Sequence, residues 1–141
     1  MRFMVLVKAN EKSEQGVLPT EQELTEMGKF NDELIKAGVM LAGEGLHPTS
    51  KGVRIRFDGS KRTVVDGPFA ETKELLAGFW LIQVKSREEA IEWFKRAPFK
   101  AGEELELRQI FEEADFGEIV NKVPEVFEKE RKFREQTGAI R

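Results

Sequence analysis

The sequence predicts an α+β fold with a split β-α-β layout and an inserted hairpin. Two strand-like runs, Phe3–Val7 and Phe79–Val84, are apolar at every interior position or nearly so. Two helical segments follow strands and open on Thr20-Glu21-Gln22-Glu23 and Ser86-Arg87-Glu88-Glu89, both capping-box spacings. Between the second and third main strands lie two short alternating runs around Asp58-Gly59-Ser60-Lys61, a hairpin signal. The order is therefore β-α-β, hairpin, β-α-β. In that topology the first and third main strands are the central pair.

Taken in order, Arg2 to Lys8 puts Phe3, Val5 and Val7 on one side and Met4 and Leu6 on the other. A strand apolar on both sides belongs in the middle of a covered sheet. Asn10 to Pro19 is polar. After Thr20, the residues Leu24, Met27, Phe30, Leu34 and Ile35 recur at helical spacing, and Gly38 stands where a C′ residue should. Val39 to Leu46 reads as the second main strand, closed by His47-Pro48. In the hairpin, Val53, Ile55 and Phe57 alternate with Arg54 and Arg56, so one face is expected to be buried. After the Asp66 corner comes Gly78 to Val84. The next helix should bury Ala90, Ile91, Trp93, Phe94 and Ala97, with Pro98 helping to end it. Glu103 to Phe111 reads as the last strand, with Leu105, Leu107 and Phe111 on one face. Residues 113–141 read as a charged helical tail interrupted at Pro124, which restarts the helix at its first position. Residues 1–112 are thus expected to form the domain, and 113–141 a helical extension of it.

Bulk properties narrow the function classes. The chain has 141 residues, 40% of them hydrophobic and 35% charged, with a net charge of −3. That length fits one domain with a real core. The mild acidity gives no footprint for nucleic acid or anionic membrane. There is no cysteine, which excludes disulfides, thiol catalysis and thiolate metal sites, and one histidine, which excludes a multi-histidine centre within one chain. No metal or cofactor is expected. The apolar run after Arg2 is too short for a signal h-region or a membrane span, so the reading is of a cytoplasmic protein. Two helices cover one face of a four-stranded sheet. The second apolar face is expected to be covered by another copy, giving a homodimer with the tail reaching onto the partner. A monomer closed by its own tail is the alternative.

The stretch Val64-Val65-Asp66-Gly67-Pro68-Phe69-Ala70-Glu71-Thr72-Lys73-Glu74 joins the hairpin to the third main strand. Pro68 locks its own φ, and the Asp66 carboxylate can bond backbone N–H groups ahead of it. This stretch resembles the signature of the DGPF-domain branch of the YCII-related proteins. Ala42-Gly43-Glu44-Gly45-Leu46-His47-Pro48 and Gly78-Phe79-Trp80-Leu81-Ile82 are similar to the same family at similar spacing, and the likeness covers about residues 1–112. The resemblance implies a ferredoxin-like domain forming a dimeric α+β barrel, in mostly bacterial, soluble proteins whose role is largely unestablished.

The candidate catalytic residues are Asp66, Glu44 and His47. Glu44 lies between two glycines on a strand, which remove side chains that would shield it, so burial could tune it as an acid or base. Its structural alternative is an ion pair with Arg54 or Arg56. His47 is the natural proton shuttle by type, or simply a solvated residue at a strand end. Asp66 is the motif acid, or a turn cap. Phe69 is a candidate wall of an apolar pocket, and Lys73 and Arg54 are candidate ligand-binding cations, with Glu71 beside them. YCII relatives are proposed to use a histidine–aspartate pair whose histidine follows the first strand. Lys8 to Thr20 contains no histidine, so that pair is not carried onto His47 and Asp66. There is no phosphate loop and no nucleophile elbow. Two functions remain: a small-molecule site by the Asp66 loop, binding or acting as a cofactor-free lyase or isomerase, and an interaction or regulatory module. The resemblance links the second to alternative sigma factors.

Overall fold

The computed structural model describes residues 1–140. A four-stranded antiparallel sheet is built from β1 (Arg2–Lys8), β2 (Met40–Gly45), β5 (Leu76–Gln83) and β6 (Leu105–Gln109), in the order β2-β5-β1-β6. The two runs that are apolar on both sides, β1 and β5, are the central pair, as the split β-α-β layout requires. A separate two-stranded sheet holds β3 (Val53–Asp58) and β4 (Lys61–Asp66). The fold is α+β and ferredoxin-like.

A short helix α1 (Glu11–Glu14) interrupts the segment read as polar, capped by the Asn10 side chain on the Ser13 N–H at 2.9 Å. The long helix α2 (Glu21–Lys36) opens on a complete capping box between Thr20 and Glu23. It closes as a Schellman motif: Gly38 takes φ 72°, its N–H donates to the Ile35 carbonyl, and the Val39 N–H donates to that of Leu34. The helix α3 (Arg87–Phe94) is capped by Ser86, but the Glu89 carboxylate accepts from the Lys85 N–H. It ends at Phe94, before Pro98 is reached.

Both long helices lie on one face of the sheet. Phe30 and Leu34 of α2 and Ala90 and Phe94 of α3 meet Phe3, Val5, Trp80, Ile82 and Val84 there in one core. Phe30, Trp80 and Phe94 contact one another edge to face, with centroids 5.2–6.1 Å apart. The Trp80 indole N–H, buried with its ring, donates to Asn31 Oδ1 at 2.9 Å. Gly43 lies opposite Trp80 in β2; a Cβ there would crowd Trp80 Cδ1 at 2.9 Å. The helical stripe is narrower than the sequence pattern: Leu24 and Ile35 remain exposed.

Two further expectations are corrected, on the hairpin and on the last strand. The hairpin buries neither face within the chain, and Val53, Ile55, Phe57 and Val64 are all exposed. The last strand stops at Gln109, so Phe111 leaves the sheet and packs on Phe116, which in turn meets the buried Phe127. The tail, α4 (Ile119–Lys122) and α5 (Pro124–Thr137), restarts at Pro124 as read, but its end returns to its own chain. Arg2, the buried charged residue of β1, donates to Glu112 at 2.9 Å and to the Ala139 carbonyl at 3.3 Å. No helix of the described residues is long and apolar enough to cross a membrane.

Candidate functional site

The register of the sheet sets what its face opposite α2 and α3 presents. One row across it runs Glu44, Phe79, Leu6, Glu106, and the next runs Ala42, Leu81, Met4, Arg108. Each row has an apolar centre, half-buried in the single chain, flanked by a polar or small edge. Glu44 therefore stands on the face away from the helices, at its β2 margin. Among the described residues its carboxylate has no partner, and the anticipated ion pair is absent because Arg54 approaches Glu71 instead, at 3.8 Å. His47, just beyond β2, is exposed and likewise unpartnered among the described residues.

Asp66 ends β4 opposite Val53, on the same hairpin face as Val64. It is exposed, and no hydrogen bond or ion pair to the described residues engages its carboxylate, so turn capping is not its role here. What secures the loop is its backbone. The Gly67–Pro68 peptide is cis. The Gly67 N–H donates to the Gly52 carbonyl at 2.9 Å, and the Phe69 N–H donates to Thr49 Oγ1 at 3.1 Å. A Cβ on Gly67 would overlap the Thr49 carbonyl, so only glycine fits at that position.

Thr49 joins three segments. Its hydroxyl donates to Glu14 Oε2 at 2.5 Å while accepting from Phe69, and its N–H donates to Glu14 Oε1 at 3.2 Å. A carboxylate receiving both an O–H and an N–H makes this a charge-assisted clasp. It ties α1, the turn before the hairpin and the motif loop together. Neither Glu14 nor Thr49 stands out in the sequence, since a glutamate in a polar stretch and a threonine after a proline carry no pattern.

Two candidate ligand residues are brought together, though on each other. The Arg54 guanidinium stacks over the Phe69 ring, 3.7 Å from its centroid. That ring face is occupied, so Phe69 does not wall an open apolar pocket on that side. Lys73 lies elsewhere, in the short turn Thr72–Glu74 that ends the loop. It lines a cleft of about 310 Å³ with Lys8, Ala9, Asn10, Gly102, Glu103 and Glu104. The cleft lies beside the last residues of β1, the position that Lys8 and Asn10 mark. Lys8 is largely buried and pairs with Glu106 at 3.3 Å, whereas Lys73 is exposed and unpaired among the described residues. None of Glu44, His47 and Asp66 lines this cleft. No group of three or more histidine, aspartate or glutamate side chains among the described residues is arranged to hold a metal.

A ferredoxin-like sheet with one face under two helices, and a motif loop clasped to the segment that follows its first strand, define the class of domain. The chain belongs to the YCII-related family: the model of the YCII-related domain matches residues 1–114. It is also similar to an uncharacterized protein of Rhizobium meliloti (strain 1021), 34% identical over 73 residues. That alignment covers 52% of this chain and 59% of the relative, so less than two thirds of the relative's length is matched.

Proposed function

We propose that this YCII-related chain, of the DGPF-domain branch, is a cytoplasmic homodimer that binds a small organic anion at the far end of the Asp66 loop. The observation that carries the reading is the cleft between the end of β1 and the Thr72–Glu74 turn, lined by Lys73, which is exposed and unpaired among the described residues, and by Lys8, whose ammonium pairs with Glu106. Glu103 and Glu104, which also line it, limit the anion to a small one, or to one that also carries a donor. The homodimer reading draws on the face opposite α2 and α3, whose Leu6, Met4, Phe79 and Leu81 rows are only half-buried in the single chain. Binding has better support than turnover. Glu44, Asp66 and His47, the acid/base candidates for a cofactor-free lyase or isomerase, lie outside the cleft and in solvent.

The test is a thermal-shift screen against small mono- and dicarboxylic acids, lactones and phosphate esters, repeated on Lys73→Gln, Asp66→Asn and Glu44→Gln. A ligand at 100 times its Kd adds about 2.7 kcal/mol of stability. A hit lost in Lys73→Gln at unchanged basal Tm supports the cleft; additional loss in Glu44→Gln or Asp66→Asn would extend the site to those carboxylates. A hit indifferent to Lys73 sinks the cleft reading.

A second reading, a non-catalytic interaction or regulatory module that could pair with an alternative sigma factor, is favoured by one observation. The hairpin projects with Val53, Ile55, Phe57 and Val64 all exposed. Co-purification of a stoichiometric protein partner that masks those residues would favour it over ligand binding.

A further inference from the structure

The hairpin is the part of the molecule that the single chain leaves least explained. It forms its own two-stranded sheet, so both its edges are free of the main sheet. A two-stranded hairpin with neither face buried is marginal in water, and a third or fourth strand is what such ribbons lack. Its outer edges carry no proline or bulge to block pairing.

The register decides which backbone groups are free. Asp58 and Lys61 flank the two-residue turn Gly59-Ser60, so they are the hydrogen-bonded pair that closes it. Bonded and non-bonded pairs then alternate along the ladder. Arg62, Val64 and Asp66 on β4, and Val53, Ile55 and Phe57 on β3, therefore turn their N–H and C=O groups outward. The same six residues share one side-chain face, which holds the hairpin's exposed apolar groups.

We propose that β4 pairs antiparallel with β4 of a second copy about a two-fold axis at Val64, making one four-stranded sheet from two hairpins. With Val64 opposite Val64, the outward N–H and C=O groups of both edges fall into register. Arg62 of each copy then stands opposite Asp66 of the other, and Thr63 faces Val65 on the reverse side. Opposite charges directly across an antiparallel pair stabilise it. The Arg62 guanidinium, which in the single chain folds back to the Gly59 and Lys61 carbonyls and over the Phe57 ring, is exposed and has only to swing outward.

The other edge fails the same test. Self-pairing of β3 about Ile55 would set Arg54 against Arg56 of the second copy in the closest, non-bonded pairing, where like charges repel. A β3-to-β4 contact would be head to tail and would leave an edge open at each end. The β4 edge is the one that closes. The inference deepens the homodimer reading by naming a contact and its register. It gives the Asp66 carboxylate, unengaged within one chain, a partner.

The absence of cysteine makes the register directly testable. Val64→Cys would place one thiol per chain against its own copy, at a Cα separation of about 5.5 Å, inside the disulfide range. Ile55→Cys, on the same face with comparable exposure, would be separated by three strand spacings, about 14 Å. Under mild oxidation with oxidised glutathione, read on a non-reducing gel, Val64→Cys should cross-link at least tenfold faster than Ile55→Cys. Arg62→Glu in the Val64→Cys background should slow the cross-link, and Arg62→Glu with Asp66→Arg should restore it. Equal rates for the two cysteine variants, or no restoration by the charge exchange, would overturn the proposal. Sedimentation equilibrium of the wild type separates the outcomes: a dimer mass with no preferential Val64 cross-link rejects the hairpin contact and leaves the homodimer, whereas a monomer mass rejects both.

Discussion

Replacing Thr49 with valine tests whether the clasp, rather than the Asp66 side chain, is what holds the motif loop. The change is nearly isosteric and removes one oxygen. It leaves the partly buried Phe69 N–H without its acceptor at 3.1 Å and takes the hydroxyl donor from Glu14 Oε2. An orphaned, partly buried N–H costs about 1–2 kcal/mol, and losing a bond to a carboxylate that water can reach costs about 1 more. The expected loss is therefore roughly 2–3 kcal/mol, which for a domain of this size lowers Tm by about 6–10 °C. Urea unfolding followed by circular dichroism measures it, with an unchanged m-value as the sign that only stability moved. Glu14→Ala and the double variant complete a cycle, whose coupling should be about 1 kcal/mol because the two side chains share one contact. A Thr49→Val protein that melts with the wild type, or a cycle whose effects simply add, would refute the clasp.

Other outcomes follow from the same contacts. Gly67→Ala forces a Cβ into the Thr49 carbonyl and should destabilise by about 3 kcal/mol or more, beyond ordinary overpacking because backbone has to move; a melting curve within a degree of wild type would contradict it. Arg2→Ala strips Glu112 and the Ala139 carbonyl of their shared donor, at a cost of about 1–3 kcal/mol. Limited proteolysis should then cut within residues 113–140 well before the sheet. Glu23 is held below the usual carboxylate range first by the Thr20 backbone N–H, then by the Thr20 hydroxyl and by Lys100. A lowered folded value means its contribution is present above the unfolded pKa of about 4.3 and lost as pH falls through the folded one. Wild type and Glu23→Gln should differ in urea midpoint at pH 7 and converge at acid pH; a constant difference would remove the ionised carboxylate from the cap.

The parts legible in the sequence are those set by local periodicity and by caps. Thr20-Glu23 and Gly38 bracket the long helix because their bonds run within a few residues. The central position of β1 and β5 could be read because burial on two faces leaves a continuous apolar run. What failed to show is what depends on distant backbone. Val53, Ile55 and Phe57 alternate as a half-buried strand would, yet pattern alone does not say whether the covering surface belongs to the same chain. Phe111 continues the apolar alternation of β6, but the strand ends at Gln109 and the ring is drawn to Phe116. At the site, Lys73 was placed by its loop, whereas Lys8 and the Glu14–Thr49 bond join residues with no sequence signal between them. The Asp66-Gly67-Pro68 run marks the corner by residue type, but the bonds that hold the loop run through Gly67, Phe69 and Thr49.

The fit between Gly43 and Trp80 has a practical consequence for spectroscopy. With no side chain on Gly43, the indole of Trp80 is enclosed among Phe30, Phe94 and Phe99 with its N–H held by Asn31. Trp93, the other indole, is half-buried on α3 with the Arg96 guanidinium 4.1 Å from its ring. The two fluorophores thus sit in contrasting media, one dry and rigid, one polar and charged. Trp80 should emit towards the blue and carry the near-ultraviolet dichroism, and Trp93 should be the one that iodide quenches. Trp93→Phe would leave a single-emitter protein in which any loosening of the sheet–helix core, by heat, denaturant or ligand, appears as a red shift without a label attached.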